Sequence, residues 1–288
     1  MKIISQTTRN GKKICYDHPV LMGILNVTED SFFDGGRYSD FDSALKHAEF
    51  MVKNGAEIID IGGESTRPGA KPVSENEEIE RVIPVVEKIC KEFDVIVSVD
   101  TYKSRVAEET LKAGADIIND ISGFTFDERM PEIVSRYNAI AVITHIKGKP
   151  ENMQKNPEYK NVKVEVFKFF KNSIEKAIKA KLKRENLILD VGIGFGKKLI
   201  HNLELLRKLD YFKKLNLPLL IGVSRKSMIG MVLGETDEMN EKVKPPEERL
   251  YGTLAVNAYA YFKGANIFRV HDVKEHFEFF KLLLALKS

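Results

Sequence analysis

Polar side chains recur where short apolar runs end, and their types separate into two chemical sets. Asp100, Asn119, Asp190 and Lys226 offer carboxylate, amide and ammonium groups. Set in an apolar cup, such groups suit the edge of a flat heterocycle that carries an amino group and ring nitrogens, because they match its donors and acceptors. Asn26, Thr66, Arg67, Arg269 and His271 form the second set, rich in forked or charged donors that suit phosphate oxygens. Together they describe a two-ended ligand: a nitrogen heterocycle bearing a phosphate or pyrophosphate.

The elements that must position these residues are legible as an alternation. Val20 to Leu25 is a short apolar run of the kind that forms a strand covered on both faces, and Asn26 ends it. An amide there is a buried polar group that needs either an internal partner or a ligand. Strand-like runs follow at 57–61, 95–99, 116–118, 139–143, 187–189, 218–223 and 267–268. Helical spacing fills the intervals at 41–54, 75–93, 103–113, 131–137, 161–183, 201–215 and 247–262, with a last helix over 273–286. Eight alternating units in roughly 250 residues are what a (β/α)8 TIM barrel requires, whose active site lies at the C-terminal ends of its strands. Those ends are polar: Asn26, Gly62 to Arg67, Asp100-Thr101, Asn119-Asp120, Thr144-His145, Asp190, Ser224 to Ser227, and Arg269 with His271.

The 288 residues read as one domain, with residues 1–17 as an N-terminal extension. Its turn, Thr8-Arg9-Asn10-Gly11-Lys12, joins two short strands into a hairpin expected to plug one end of the core. With 45 basic against 42 acidic residues and a net charge of +3, nothing marks a nucleic-acid or membrane surface. The chain lacks an apolar run of about 18 residues and a secretion-type N-terminus, so a cytoplasmic protein is expected. Cys15 and Cys90 lie far apart without a metal-binding spacing and are expected to be reduced.

Other motifs carry less. Gly192-Ile-Gly-Phe-Gly-Lys197 lacks both the Gly-x-Gly-x-x-Gly spacing and a Walker loop, and is read as a flexible rim. Ser224 and Ser227 have no triad spacing around them. Asp100 and Asp190 suit recognition better than glycoside hydrolysis, and His47, His201 and His276 are read as surface or packing residues.

Ile24-Leu-Asn-Val-Thr-Glu-Asp-Ser-Phe-Phe-Asp-Gly-Gly36, Asp60-Ile-Gly-Gly-Glu-Ser-Thr-Arg-Pro-Gly-Ala70, Ser98-Val-Asp-Thr101, Ile118-Asn-Asp-Ile121, Asp190-Val-Gly-Ile-Gly-Phe-Gly-Lys197, Ser224-Arg-Lys-Ser227 and Arg269-Val-His271 resemble the successive signatures of dihydropteroate synthases. The resemblance covers nearly the whole chain and implies a (β/α)8 barrel. It implies folate biosynthesis: 4-aminobenzoate displaces pyrophosphate from hydroxymethyl-dihydropterin diphosphate to give dihydropteroate. By the same resemblance Asp100, Asn119, Asp190 and Lys226 hold the pterin, with Arg269 flanking it. Asn26 with a magnesium ion, Thr66, Arg67, Arg269 and His271 hold the diphosphate, and Pro68, Phe195 and Ser227 contact the aminobenzoate. Asp34, Arg67 and Lys226 are implied as the catalytic residues.

Glu29 stands where the family commonly has proline, Thr144-His145-Ile146-Lys147-Gly148 replaces a methionine-rich segment, and Val191 replaces another proline. These touch loop dynamics, packing beneath the pterin and sulfonamide affinity, and leave the charged residues in place. A pterin-dependent methyltransferase would have no use for a diphosphate clamp, and a silent pterin-binding paralogue would be expected to lose Asp34 or Arg67. The last helix is apolar over more than one stripe, which, with the resemblance, points to a homodimer.

Overall fold

The computed structural model describes residues 5–27, 37–66, 69–237 and 240–287. Two short strands, β1 (Ser5–Thr7) and β2 (Lys13–Cys15), pair as an antiparallel hairpin. The chain then alternates through β3 (Val20–Asn26), α1 (Arg37–Lys53), β4 (Ile58–Gly62), α2 (Glu75–Glu92), β5 (Ile96–Asp100), α3 (Ser104–Lys112), β6 (Ile117–Asp120) and α4 (Met130–Arg136). It continues with β7 (Ile140–Thr144), α5 (Val162–Lys179), β8 (Leu187–Asp190), α6 (Leu199–Arg207), β9 (Leu219–Ile221), α7 (Ser227–Leu233), β10 (Glu235–Asp237), β11 (Asn240–Lys242), α8 (Leu250–Phe262), β12 (Ile267–Val270) and α9 (Val273–Lys287). Strands β3 to β9 run parallel in order, and β12 closes the barrel between β9 and β3.

Period-two alternation explains where the site lies. Along β4 the inward residues are Ile58, Asp60 and Gly62, along β5 Ile96, Ser98 and Asp100, and along β12 Ile267 and Arg269, while Ile59, Val97 and Phe268 pack outward against the helices. The interior is therefore apolar at the N-terminal ends of the strands and polar at the C-terminal ends. Ile58, Ile96, Ile117, Ile140, Ile188 and Ile267 make the apolar floor, all buried.

The hairpin covers that floor from below, as expected. Ile14 and Tyr16 are buried with the floor isoleucines. Gln6 donates to the carbonyls of Glu185 (2.6 Å) and Leu187 (3.2 Å), and Asn10 to that of Gly114 (2.9 Å). Carbonyls at the entrance of the strands would otherwise be unpaired beside an apolar plug.

Several elements differ from the sequence reading for local reasons. The helix expected over 161–183 stops at Lys179, because Lys181 adopts φ 62° and turns Leu182 into the core. The helix expected over 201–215 is α6 followed by a 3₁₀ segment, Leu209–Leu215; its buried residues Leu209, Phe212 and Leu215 repeat every third position, the 3₁₀ period. A 3₁₀ turn, Pro246–Arg249, precedes α8. Helix α7 and the β10–β11 hairpin were not expected at all; a seven-residue helix carries too short a stripe to register as periodic.

If the hairpin is a plug and not an ornament, Ile14→Ala will lower the unfolding free energy by about 2–5 kcal/mol, the cost of a buried cavity. Urea denaturation followed by circular dichroism measures it.

Candidate active site

One register row carries much of the cup. Asn26 lies opposite Gly62, Gly62 opposite Asp100, and Asp100 opposite Asn119 across four adjacent strands. Gly62 leaves the row open: a Cβ there would lie 3.7 Å from the Asp100 Cβ and 3.8 Å from Asn26 Oδ1. Asp190 pairs with Thr144 at the end of β8.

Asp60, one inward position below the row, organises the charges above it. It is fully buried and both of its oxygens are engaged: Ser98 Oγ donates to its Oδ1 (2.6 Å), and Asn119 Nδ2 (3.0 Å) and Arg269 Nε (2.5 Å) donate to its Oδ2. Arg269 reaches onward, donating from Nη2 to Asp100 Oδ2 at 2.8 Å. Burial works against the guanidinium's charge, but Asp60 and Asp100 more than offset this and raise its pKa. The second oxygen of Asp100, Oδ1, is buried with no hydrogen-bond partner among the described residues. An unsatisfied acceptor at the base of a cup calls for a donor, which a ligand could supply.

Asp190 accepts from the Gly192 amide at 2.8 Å, and burial raises its carboxyl pKa against the opposing pull of Lys226. Lys226 follows the strand-end loop after β9, donates to the Ile193 carbonyl, and holds its ammonium 4.5 Å from the centre of the Phe195 ring. Burial pushes the Lys226 pKa down to about 8, with Asp190 pulling it up, and pushes Asp100 up to about 7, with Arg269 pulling it down. The neighbour Arg225, at φ 54°, locks this loop from outside: it pairs twice with Asp272 (2.9 and 2.7 Å) and donates to the Pro246 carbonyl at 3.0 Å.

The anion-seeking set is arranged around the rim. Asn26 is exposed at the mouth and Thr66 is half-buried in the loop after β4. His271 meets Ser224, with Nδ1 2.9 Å from Oγ and its backbone amide donating to the same oxygen at 3.2 Å. Both ends of the Thr66 loop are tied down, because Glu64 accepts from the Val73 amide (2.8 Å) and from Lys103 (2.5 Å), which also bonds buried Glu78 (2.5 Å). Ser227 is exposed at the first position of α7. Asp34, Arg67 and Pro68 lie outside the described residues.

Two sequence readings change. The glycine-rich run after β8 is no loose rim, since Lys197 is buried beneath it and donates to three of the surrounding carbonyls. Asp60 and Arg225 were quoted within motifs without a role; period-two alternation could have turned Asp60 inward, whereas nothing local marks Asp272 as the partner of Arg225. The histidines behave as read, with His47 exposed and His276 buried between Asn257 Nδ2 (2.9 Å) and the Asp272 carbonyl (2.6 Å).

A closed parallel barrel holding a charged, half-open cup at the C-terminal ends of its strands is the architecture of the pterin binding enzymes, whose family model matches residues 22–271. The dihydropteroate synthase of Escherichia coli is 46% identical over 288 residues, 100% of this chain and 97% of that protein. The crystal structure of the Yersinia pestis dihydropteroate synthase in a sulfonamide drug complex is 44% identical with a TM-score of 0.90, over 99% of each chain. The Xanthomonas albilineans dihydropteroate synthase with 4-aminobenzoic acid is 35% identical with a TM-score of 0.88, over 97% of each chain. The chain belongs to the dihydropteroate synthase family, and it is a transferase.

If Asp100 and Lys226 contact a pterin, the raised Asp100 and lowered Lys226 set a pH dependence for its binding. Asp100 accepts a donor most strongly while ionised, so affinity falls as pH drops through about 7. Calorimetry with a pterin analogue that does not itself titrate should read roughly a tenfold or greater loss from pH 7.5 to 5.5. A second decline is expected above about 8 as Lys226 loses its proton.

Proposed function

We propose that this transferase condenses 6-hydroxymethyl-7,8-dihydropterin diphosphate with 4-aminobenzoate, giving 7,8-dihydropteroate and pyrophosphate. The observation that carries this reading is the orphan Asp100 Oδ1, held in the cup by Arg269 beside Asn119, Asp190 and Lys226. An amino-bearing heterocycle satisfies that oxygen, and a diphosphate satisfies the amide, hydroxyl and imidazole donors at the rim. The relatives crystallised with 4-aminobenzoic acid and with a sulfonamide support a second, aminobenzoate-shaped subsite. Phe195, half-buried beside Lys226, is the aromatic wall for it, with Ser227 exposed nearby at the start of α7; Pro68 is assigned to it by the family resemblance alone.

Separation of pyrophosphate from the exocyclic carbon leaves a cation that the electron-rich dihydropterin delocalises, so the task is to stabilise separating charge. Asn119, Asp100, Asp190 and Lys226 hold the ring while the charge develops. Thr66, His271 and the remaining donors of Arg269 receive the leaving group; the family resemblance adds Arg67 to that set and assigns Asp34 to the cation. The aromatic amine is a free base near neutral pH and attacks without a strong general base.

The residues fit a magnesium ion of the kind that binds through few protein oxygens and substrate phosphates. Among the described residues there is no cluster of three carboxylate, histidine or cysteine ligands, and Asn26 offers a single amide oxygen at the mouth. When bound, the ion neutralises charge on the diphosphate. Among the described residues no helix is long and apolar enough to cross a membrane. Cys15 and Cys90 are free, which supports a reducing, cytoplasmic location.

A homodimer is part of the same reading, and its best support is α8. Tyr251, Tyr259 and Phe262 are exposed along one stripe at positions i, i+8 and i+11. Exposed Met231 and Val232 of α7 and Leu282 and Leu286 of α9 continue that apolar face on the neighbouring helices. Light scattering should give twice the chain mass of 32.7 kDa, and Phe262→Glu should shift it toward the monomer; a wild-type monomer would remove the dimer.

The reaction is tested by pyrophosphate release from the dihydropterin diphosphate with magnesium, with and without 4-aminobenzoate. Aminobenzoate-dependent release with dihydropteroate as product is expected, and tight pterin binding without product would favour a silent paralogue or a methyltransferase. Arg67→Ala should lower kcat/KM by about tenfold or more, the loss of a charge-assisted hydrogen bond, with folding intact.

A further inference from the structure

Lys197 is 2% exposed, and its ammonium sits in a cage of backbone. It donates to the carbonyls of Gly192 (2.8 Å), Phe195 (3.0 Å) and His145 (3.1 Å), with His145 Nδ1 a further 2.9 Å contact. Burial pushes the Lys197 pKa well below the usual lysine value, with Asp190 opposing it, so the amine is held there at a cost and its hydrogen bonds shape the loop. Three features of the loop between Gly192 and Gly196 define that shape.

The loop lies flat on the segment after β7. Gly192 and Gly196 adopt φ 67° and 63°, and a Cβ on either would run into the carbonyl oxygens of His145 and Lys147. Its outer face is tied by Gln154 Nε2 to the Gly194 carbonyl (2.5 Å), by Tyr159 OH to the Gly196 carbonyl (2.8 Å), and by the Gly194 amide to Asn202 Oδ1 (2.8 Å). Its inner face presents the Ile193 carbonyl, which accepts from Lys226, and the Phe195 ring, 4.5 Å from that same ammonium.

We propose that Lys197 is a positioning residue for the aminobenzoate subsite: by clamping the Gly192 and Phe195 carbonyls against His145, it holds the Phe195 ring where the second substrate must stack. This deepens the proposed reaction and rests on it. Lys197 is enclosed by the loop backbone and reaches the second substrate only through Phe195, although Asp190 feels its charge. Without its three donors the turn loses the contacts that join its two ends, and Phe195 loses its fixed height above Lys226. Pterin, held from the strands by Asp100, Asn119 and Asp190, is little affected.

The test separates the two substrates. Lys197→Met keeps length and apolar bulk and removes the donors. The KM for 4-aminobenzoate should rise roughly tenfold or more, the effect of leaving buried carbonyls unpaired. The affinity for the dihydropterin diphosphate, measured by calorimetry without aminobenzoate, should change by less than about threefold. Tyr159→Phe removes only one hydroxyl from the rim and should raise the same KM by about two- to tenfold, so it decides the question if the first variant fails to fold. An unchanged aminobenzoate KM in the folded variants, or an equal loss for both substrates, would overturn the assignment. Wild-type protein that gives no aminobenzoate-dependent product would overturn the underlying reaction instead, a result distinguishable from either.

Discussion

A guanidinium held between two buried carboxylates is the constraint on which the site depends. Arg269 bonds Asp60 through Nε and Asp100 through Nη2, giving each buried carboxylate a charge-assisted hydrogen bond. The arrangement is asymmetric. Asp60 is engaged at both oxygens by Ser98, Asn119 and Arg269, whereas Asp100 keeps one oxygen unpaired among the described residues. The lower carboxylate is thus structural and the upper one is available, and the position of Asn119 follows from the same hub.

The barrel makes this possible by placing chemistry on a period of two. Inward residues change from isoleucine to aspartate, serine, asparagine and arginine as the strands rise, so the same strands supply a packed floor and a polar cup. The hairpin closes the floor from the other end. Beyond the ligand-facing groups, lysine amines anchor backbone: buried Lys197 beneath the loop after β8, and partly buried Lys103 at the base of the Thr66 loop. Such contacts leave the ligand-facing side chains on loops that are tied at their ends, which keeps their geometry close to that of the strands.

Much of this was legible in the chain. Eight apolar runs ending in polar residues predicted the barrel and brought Asn26, Asp100, Asn119, Asp190, Lys226 and Arg269 to one mouth, where the structure has them. Asp60 escaped because it lies two residues inside its strand, where a motif read as a string gives no sense of depth. Lys197 escaped because glycines suggest freedom, and only the surrounding carbonyls reveal a clamp. The 3₁₀ segment over 209–215 and the short α7 carry periodicities too brief or too close to 3.6 to separate by pattern. The apolar stripe of α8 was hidden in a helix apolar on most sides, where burial alone tells core from surface.

The most direct test of the central claim is pterin binding to Asp60→Asn, followed by calorimetry on protein shown to be folded. Asp60 is fully buried below the cup with both oxygens engaged by the protein, so a bystander would leave affinity intact. If Asp60 sets Arg269, Asn119 and, through them, Asp100, affinity should fall by roughly tenfold or more. Wild-type affinity in the folded variant would contradict the account.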